Sequence, residues 1–550
     1  MILPRVKSRV YNQNAFTKPL VFQNAGEVSD KALCFIKLFR PDLCVEMGKD
    51  ATVSFTEKDS LGGGAYEICV DTEEISIFYG DAEGVRNAVA TFSQLITDDG
   101  IECCEIKDAP DNEFRSCMLD LARGYVELPV LREHIVRMAL LKYNYIHFHL
   151  MDRQTYVLES DFLPNPSNYR QYTKKEMKEI AEFCKELCLE VIPEIEIPAH
   201  AVNQIKARPE LACDIIDRRF AIDLIKNAKG AGKRELSDNK RSVSTWVVCA
   251  GKETTYEIYD GIVKELCEVF GDCKYIHMGG DELEYRFMGA HAHWENCSSC
   301  QKRMKDEGLS SIRELYYYVV KRMHKIVSAY GKTLMIWNDQ LDVSAPIDIP
   351  KDIIVEYWSG TVIDKEAKDV YQRLLDQGFK TINARIRYTY VNLPSFMQES
   401  NIRDWNIRID NAGEGVLDGD IIGGEMCAWE LGNPLYAFYG YSLPVCMVLF
   451  ADRVWNNDAV EYDEQYKNSV FGVLLGDWLC ETTPFFCFKE MIPPRDKTKT
   501  AIEEIDFDSI PKERLEAVIE YLQGLDTSKI YGANARDAYI EFLNLIYEVL

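Results

Sequence analysis

Positive charge is the scarcest commodity in this chain. Against 89 Asp and Glu there are 63 Lys and Arg, a net charge of −26. Nucleic acids and anionic membranes need basic patches, so neither is expected as a partner. No run of about 18 apolar residues occurs, so no helix is expected to cross a membrane. The opening segment MILPRVKSRVYNQN has no apolar core and no small-residue cleavage site, so no secretory leader is expected. Internal repeats, low-complexity tracts and a glycine-rich phosphate loop after the first candidate barrel strand are all missing, which argues against solenoids and dinucleotide folds. Cysteine is not scarce. Its 18 residues sit in core-like surroundings such as Phe183-Cys184 and Leu187-Cys188. In a chain of this length they read as buried thiols of a reducing compartment, with the cytoplasm the expected location.

What is present has an order. Residues 1–110 alternate short strands, such as 65–70 and 75–79, with an amphipathic helix over 84–96 whose apolar set is Val85, Ala88, Ala90, Phe92 and Leu95. After the break Asp108-Ala-Pro110-Asp-Asn, strands and helices take turns. Candidate strands fall at 116–121, 145–150, 191–197, 275–278, 333–337, 353–358, 381–386 and 421–429. Helical patterns separate most of them, but the link between the fifth and sixth is short and Pro-rich, so a helix is missing there. Eight strands with intervening helices are the count of a (β/α)8 TIM barrel. The expected organisation is a small α/β domain (1–110), a catalytic barrel (111–482) and a helical C-terminal extension (483–550).

In such a barrel chemistry sits where strands end. The most informative stretch is Tyr275-Ile-His-Met-Gly-Gly-Asp281-Glu282, a short strand running through two glycines into adjacent carboxylates. Adjacent carboxylates repel, which helps raise one pKa for a general acid. Other strand ends offer Asp120 and Arg123, His149 and Asp152, Glu196 and His200, Trp337 and Asp339, Trp358, Tyr390 and Asn392, then Glu425, Trp429 and Glu430. Several Trp around a carboxylate pair suit a sugar, whose C–H faces stack on indole while its hydroxyls bond polar groups.

The chain resembles glycoside hydrolase family 20, the β-N-acetylhexosaminidases. His277-Met-Gly-Gly-Asp281-Glu282 is similar to the family's catalytic signature. Arg115-Ser-Cys-Met-Leu-Asp120-Leu-Ala-Arg123, His147-Phe-His-Leu-Met-Asp152, Pro193-Glu-Ile-Glu-Ile-Pro-Ala-His200 and Gly423-Gly-Glu425-Met-Cys-Ala-Trp429 resemble its first, second, third and eighth strands. The resemblance implies an exo-acting retaining enzyme that frees terminal GlcNAc or GalNAc from small glycans, using the sugar's own acetamido oxygen as nucleophile. Glu282 would be the general acid and base, Asp281 would accept the acetamido N–H, and Tyr390 would donate to the acetamido oxygen. Trp337, Trp358 and Trp429 would wall the sugar, Arg123 would bond its hydroxyls, and Asp152 with His200 would support the acid. No cofactor is implied. The expected partner is a small glycan, met by the chain alone or as a homodimer. Two alternatives stand beside this: a carbohydrate-binding protein without turnover, and a conventional retaining glycosidase with a carboxylate nucleophile such as Glu425.

Two positions depart from the family's pattern. Asn392 stands where an aspartate is usual, and Leu431, next to Glu430, where a glutamate is usual. Those acids grip the 4- and 6-hydroxyls, so a substituted terminal sugar or release of a disaccharide is an alternative specificity. Arg385 and Arg387, read as lying on the seventh strand, and Arg153 would face an anionic substituent. Finally, His291-Ala-His293-Trp-Glu-Asn-Cys297-Ser-Ser-Cys300 gathers two His and two Cys. His291, His293, Cys297 and Cys300 are a candidate set for a structural zinc.

Overall fold

The computed structural model describes residues 1–40, 43–97, 99–166, 170–214, 246–283, 293–359, 369–391, 399–409, 416–429 and 442–458, with isolated residues beyond. The helical extension expected after residue 482 lies almost wholly outside them.

Seven strands build the first sheet: β1 (Ser8–Phe16), β2 (Val21–Gln23), β3 (Glu46–Gly48), β4 (Val53–Glu57), β5 (Tyr66–Val70), β6 (Ile75–Tyr79) and β7 (Ile101–Asp108). Their order is β1-β7-β5-β6-β4-β2-β3. The helix Ala82–Leu95 starts where the Asp81 carboxylate accepts from Gly84 N at 2.7 Å, a side-chain cap for an otherwise unpaired N–H. Val85, Ala88, Ala90, Phe92 and Leu95 are buried, as their spacing predicts.

Eight parallel strands then close into a barrel: β8 (Phe114–Asp120), β9 (Tyr145–His149), β10 (Glu190–Glu194), β11 (Tyr275–His277), β12 (Thr333–Trp337), β13 (Ile354–Tyr357), β14 (Lys380–Asn383) and β15 (Ile421–Ala428), with β15 pairing back onto β8. Helices such as Leu128–Leu140, Lys174–Glu186, Glu253–Val269 and Ile312–Ala329 lie between strands. None lies between β12 and β13, where the Pro-rich link was expected to lack one. The seventh strand is shorter than its sequence suggests. It stops at Asn383, and Arg385 and Arg387 fall on a turn and a short helix, Ile386–Thr389. They therefore do not share a strand face, and strand alternation says nothing about where they point.

The sheet is fastened to the barrel by polar groups. Lys142 Nζ lies 2.9 Å from Asp108 Oδ2, both side chains fully buried, and donates to Tyr66 Oη at 2.7 Å. Trp455 Nε1 donates to the other Asp108 oxygen at 3.0 Å. A buried pair needs such extra bonds to offset its desolvation.

Candidate active site

Alternation along the barrel strands sorts the inward side chains into layers. The lowest is apolar: Phe114, Tyr145, Ile192, Tyr275, Met335, Ile354 and Ile382 cluster by themselves. Two residues further along the strands the character inverts. His147, Glu194, His277, Glu356 and Glu425 are all fully buried. His147 places Nδ1 2.8 Å from Glu425 and Nε2 3.3 Å from Glu194. His277 Nδ1 is 3.0 Å from Glu194 Oε1, which also accepts from Trp337 Nε1 at 2.7 Å. Burial works against charge on His147, but Glu425 and Glu194 outweigh it and raise its pKa to about 9. Burial and the Glu425 charge push Glu356 well above the carboxylate range, so it keeps its proton.

From this layer a chain of contacts climbs to the mouth. His149 bonds Glu194 through Nδ1 and lies 3.2 Å from Asp152 Oδ2 through Nε2. Asp152 receives Arg123 and, at 3.4 Å, His200 Nδ1. Arg123 also donates to Asp120 at 2.9 Å. The other face of His200 meets both members of the acid pair, with Nε2 3.4 Å from Glu282 Oε2 and 3.8 Å from Asp281 Oδ2. Burial opposes charge on His200, yet Asp152 and Asp281 outweigh it and hold the ring protonated.

The turn that presents the pair needs its glycines. Gly279 and Gly280 have φ of +67° and +91°, and a Cβ on Gly279 would sit 2.1 Å from Glu196 Oε2. Glu282 itself has φ +46° and His200 has φ +53°, a left-handed conformation that costs a non-glycine residue about 1–3 kcal/mol. Glu282 N donates to Asp339 Oδ2 at 3.0 Å, and its carbonyl accepts from Trp246 Nε1 at 3.1 Å. The strained residue is thus held from both sides. Its side chain is 34% exposed against 14% for Asp281, so Glu282 is the member that reaches out.

Charge divides unequally between them. Burial, with Asp339, Glu282 and Glu194 behind it, pushes Asp281 up to about 7 against the pull of His200. Burial also pushes on Glu282, but the closer His200, helped by Arg123, outweighs it and holds that carboxyl below its usual value. The sequence reading gave the raised pKa to the general acid. In this geometry the raised group is Asp281, because it is deeper and faces more carboxylates. Its Oδ1 is buried and has no hydrogen-bond partner among the described residues.

Aromatic rings close the mouth. Tyr390 lies 5.9 Å from both Trp358 and Trp429, and Trp429 lies 5.8 Å from Trp337. Trp358 Nε1 donates to Asp339 at 3.1 Å, and Arg123 stands 5.4 Å over Trp429.

Asp281, Glu282, Arg123, Asp152, His200, Tyr390, Trp337, Trp358 and Trp429 therefore converge. Asn392, Glu430 and His291 lie outside the described residues. Glu425, the alternative nucleophile, is fully buried and tied to His147 in the ionised layer, so it does not reach a sugar. Cys297 and Cys300 do meet other sulfur ligands, but these are Cys213 and Cys249. His293 is buried and is not in the group. The proposed His–Cys set is thus corrected, because residues close in sequence diverge once Cys297 begins the helix Ser298–Glu307. None of the 16 described cysteines is in a disulfide. Sequence reasoning missed Trp246 and the role of Glu194. Glu194 was legible in principle, since it lies two residues before Glu196; Trp246 has no periodicity around it in the sequence to mark it.

Residues 112–430 match the family described as glycosyl hydrolase family 20, catalytic domain, and residues 36–109 match its domain 2. The chain belongs to glycosyl hydrolase family 20. It is 29% identical over 301 residues to a beta-hexosaminidase of Porphyromonas gingivalis, covering 50% of this chain and 36% of that one. It is 26% identical over 382 residues to a beta-hexosaminidase of Vibrio furnissii, covering 64% and 57%. The chain thus spans from about a third to under two thirds of the length of these relatives. Among solved structures, the GH20 exo beta-N-acetylglucosaminidase of Vibrio harveyi in complex with N-acetylglucosamine shares the fold, with a TM-score of 0.69, 19% identity, and coverage of 86% of this chain and 76% of that one.

Proposed function

We propose that the protein is an exo-acting retaining β-N-acetylhexosaminidase working by substrate assistance. The observation that carries this is the buried Asp281 Oδ1, without a hydrogen-bond partner among the described residues, beside the part-exposed Glu282, with one imidazolium facing both. An acceptor without a donor suits an acetamido N–H. Accepting it turns the acetamido carbonyl oxygen toward C1, with the Tyr390 hydroxyl donating to that oxygen.

The first step forms the bond from that oxygen to C1 as the glycosidic C1–O bond breaks, and Glu282 gives its proton to the departing oxygen. Asp281, ionised, balances the positive oxazolinium. In the second step water attacks C1 from the vacated face and gives its proton to Glu282. The C1–O bond of the ring intermediate breaks, and the configuration at C1 is retained. The productive state has one proton on the pair, on Glu282. A donor arriving at Asp281 favours its carboxylate and moves the shared proton to the outer residue. No cofactor is needed.

A panel of aryl β-glycosides tests the proposal. Turnover should require the 2-acetamido group, and the first sugar released should be the β-anomer. Equal rates on a β-glucoside, or the α-anomer released first, would overturn it. Sugar binding with no turnover would favour a carbohydrate-binding protein instead.

A further inference from the structure

Four cysteines that the sugar site does not use, from three stretches of chain, meet. The Sγ atoms of Cys213, Cys249, Cys297 and Cys300 all lie within 4.8 Å of one another, and Cys249 is 3.6 Å from both Cys297 and Cys300. A disulfide needs about 2.05 Å. Tetrahedral zinc with Zn–S near 2.3 Å puts its sulfurs about 3.8 Å apart. The spacing therefore fits a shared cation and not a cross-link.

The surroundings suit thiolates. Cys297 and Cys300 sit at the start of the helix Ser298–Glu307, whose free N–H groups favour negative charge. Asp214 N donates to Cys297 Sγ at 3.2 Å. Lys252 Nζ, 2.9 Å from Asp214 Oδ1, brings a positive charge to the same corner. The approach of Cys249 is built in as well. A Cβ on Gly251 would lie 2.2 Å from the Ser299 backbone, so glycine lets this segment lie flat on the helix's first turn.

We propose that these four cysteines form a structural tetrathiolate zinc site that staples together two stretches of chain that carry site residues. Cys213 and Cys249 follow β10 in the sequence, as do His200 and Trp246. Cys297 and Cys300 follow β11, as do Asp281 and Glu282. Trp246 lies three residues before Cys249 in the sequence and bonds the Glu282 carbonyl. Zinc here touches no sugar; it fixes the spacing between His200 and the carboxylates it serves.

Elemental analysis of the full chain, expressed with added zinc and desalted under reducing conditions, should find about one zinc per chain, as four thiolates around one ion require. Exchange for Co(II) should give thiolate-to-cobalt charge-transfer bands and the intense visible absorption of a tetrahedral site. Cys249→Ser and Cys297→Ser should lose the metal, while Cys34→Ser with Cys44→Ser, both exposed, should keep it. If the serine variants do not fold, the wild-type cobalt spectrum decides. A wild-type chain that holds no zinc and gives no cobalt bands would overturn the site, as would an unreduced mass showing disulfides among these four.

Discussion

Two layers of one barrel, two residues apart along the same strands, are built on opposite principles. Ile192 belongs to the lower layer and Glu194 to the next, and both are fully buried on β10. The lower layer gains from removing apolar surface from water, with Phe114 and Tyr145 stacked at 4.4 Å. The upper layer forgoes that gain. Its carboxylates and imidazoles are costly to desolvate and hold together only by satisfying one another. The difference teaches where stability is made and where it is spent. Packing at the closed end supports a charge relay at the open end, and Glu194, His149, Asp152 and His200 carry that relay to the acid pair.

The largest effect should come from the end of the relay. Glu282→Gln keeps size and backbone strain but removes the proton, and a general acid–base group is worth about 10²–10⁴ in rate. Turnover of a disaccharide should fall by that factor while a thiazoline analogue of the intermediate still binds. Asp281→Asn should lower kcat as well, and should bind the thiazoline weakly because an amide cannot balance its charge. Near-wild-type kcat in either variant would remove that residue from the chemistry.

Next comes the relay's buried hub. Glu194→Leu leaves His147, His149 and His277 facing one another without their shared carboxylate, and breaking a buried ion pair from one side costs about 3–5 kcal/mol. Urea unfolding measures this. A loss below about 1 kcal/mol, the range of exposed pairs, would mean the layer is not the network its distances describe.

These two residues also show what the sequence could tell. Eight short apolar runs with helical patterns between most of them made the barrel legible, and the Pro-rich stretch before Ile353 announced its missing helix. The strand-end residues were legible because the fold puts every strand end at one mouth. Contacts between residues far apart in the sequence were not. Cys213 and Cys249 are separated by many residues from Cys297, so local spacing pointed to His291 and His293 instead. Nothing in Thr381–Ile386 signals that β14 stops at Asn383, since its residues remain compatible with a strand. The charge division in the acid pair was also hidden, because it depends on His200 standing nearer Glu282 than Asp281.

That division sets a pH dependence. With Asp281 at about 7 and Glu282 lower, the pair holds one proton between those values. The singly protonated pair is the productive one, so kcat/KM should fall as pH rises through about 7, by about tenfold per unit beyond it. Stability carries its own sign. A carboxyl raised in the folded state favours folding at low pH and loses that contribution as pH rises through about 7. Asp281→Asn should therefore gain stability relative to wild type between pH 4 and pH 8, even as it loses activity. A variant whose stability difference from wild type is flat with pH would show that Asp281 titrates normally.

The smallest effect tests the lower layer alone. Ile192→Val removes one methylene from a packed apolar cluster, which typically costs about 0.5–1.5 kcal/mol. Ile192 packs in the apolar cluster, and although its backbone pairs in register with His147 on β9, those strand hydrogen bonds do not involve its side chain. Stability should drop by that amount with kcat, KM and the pH profile unchanged. Its neighbour Glu194, changed to the isosteric Gln, should shift the pH profile, because His147 and His149 both lose part of the charge that holds their protons against burial. If Ile192→Val moved the profile too, the layers would be mechanically coupled, and the acid pair would depend on the packing beneath it as much as on its own partners.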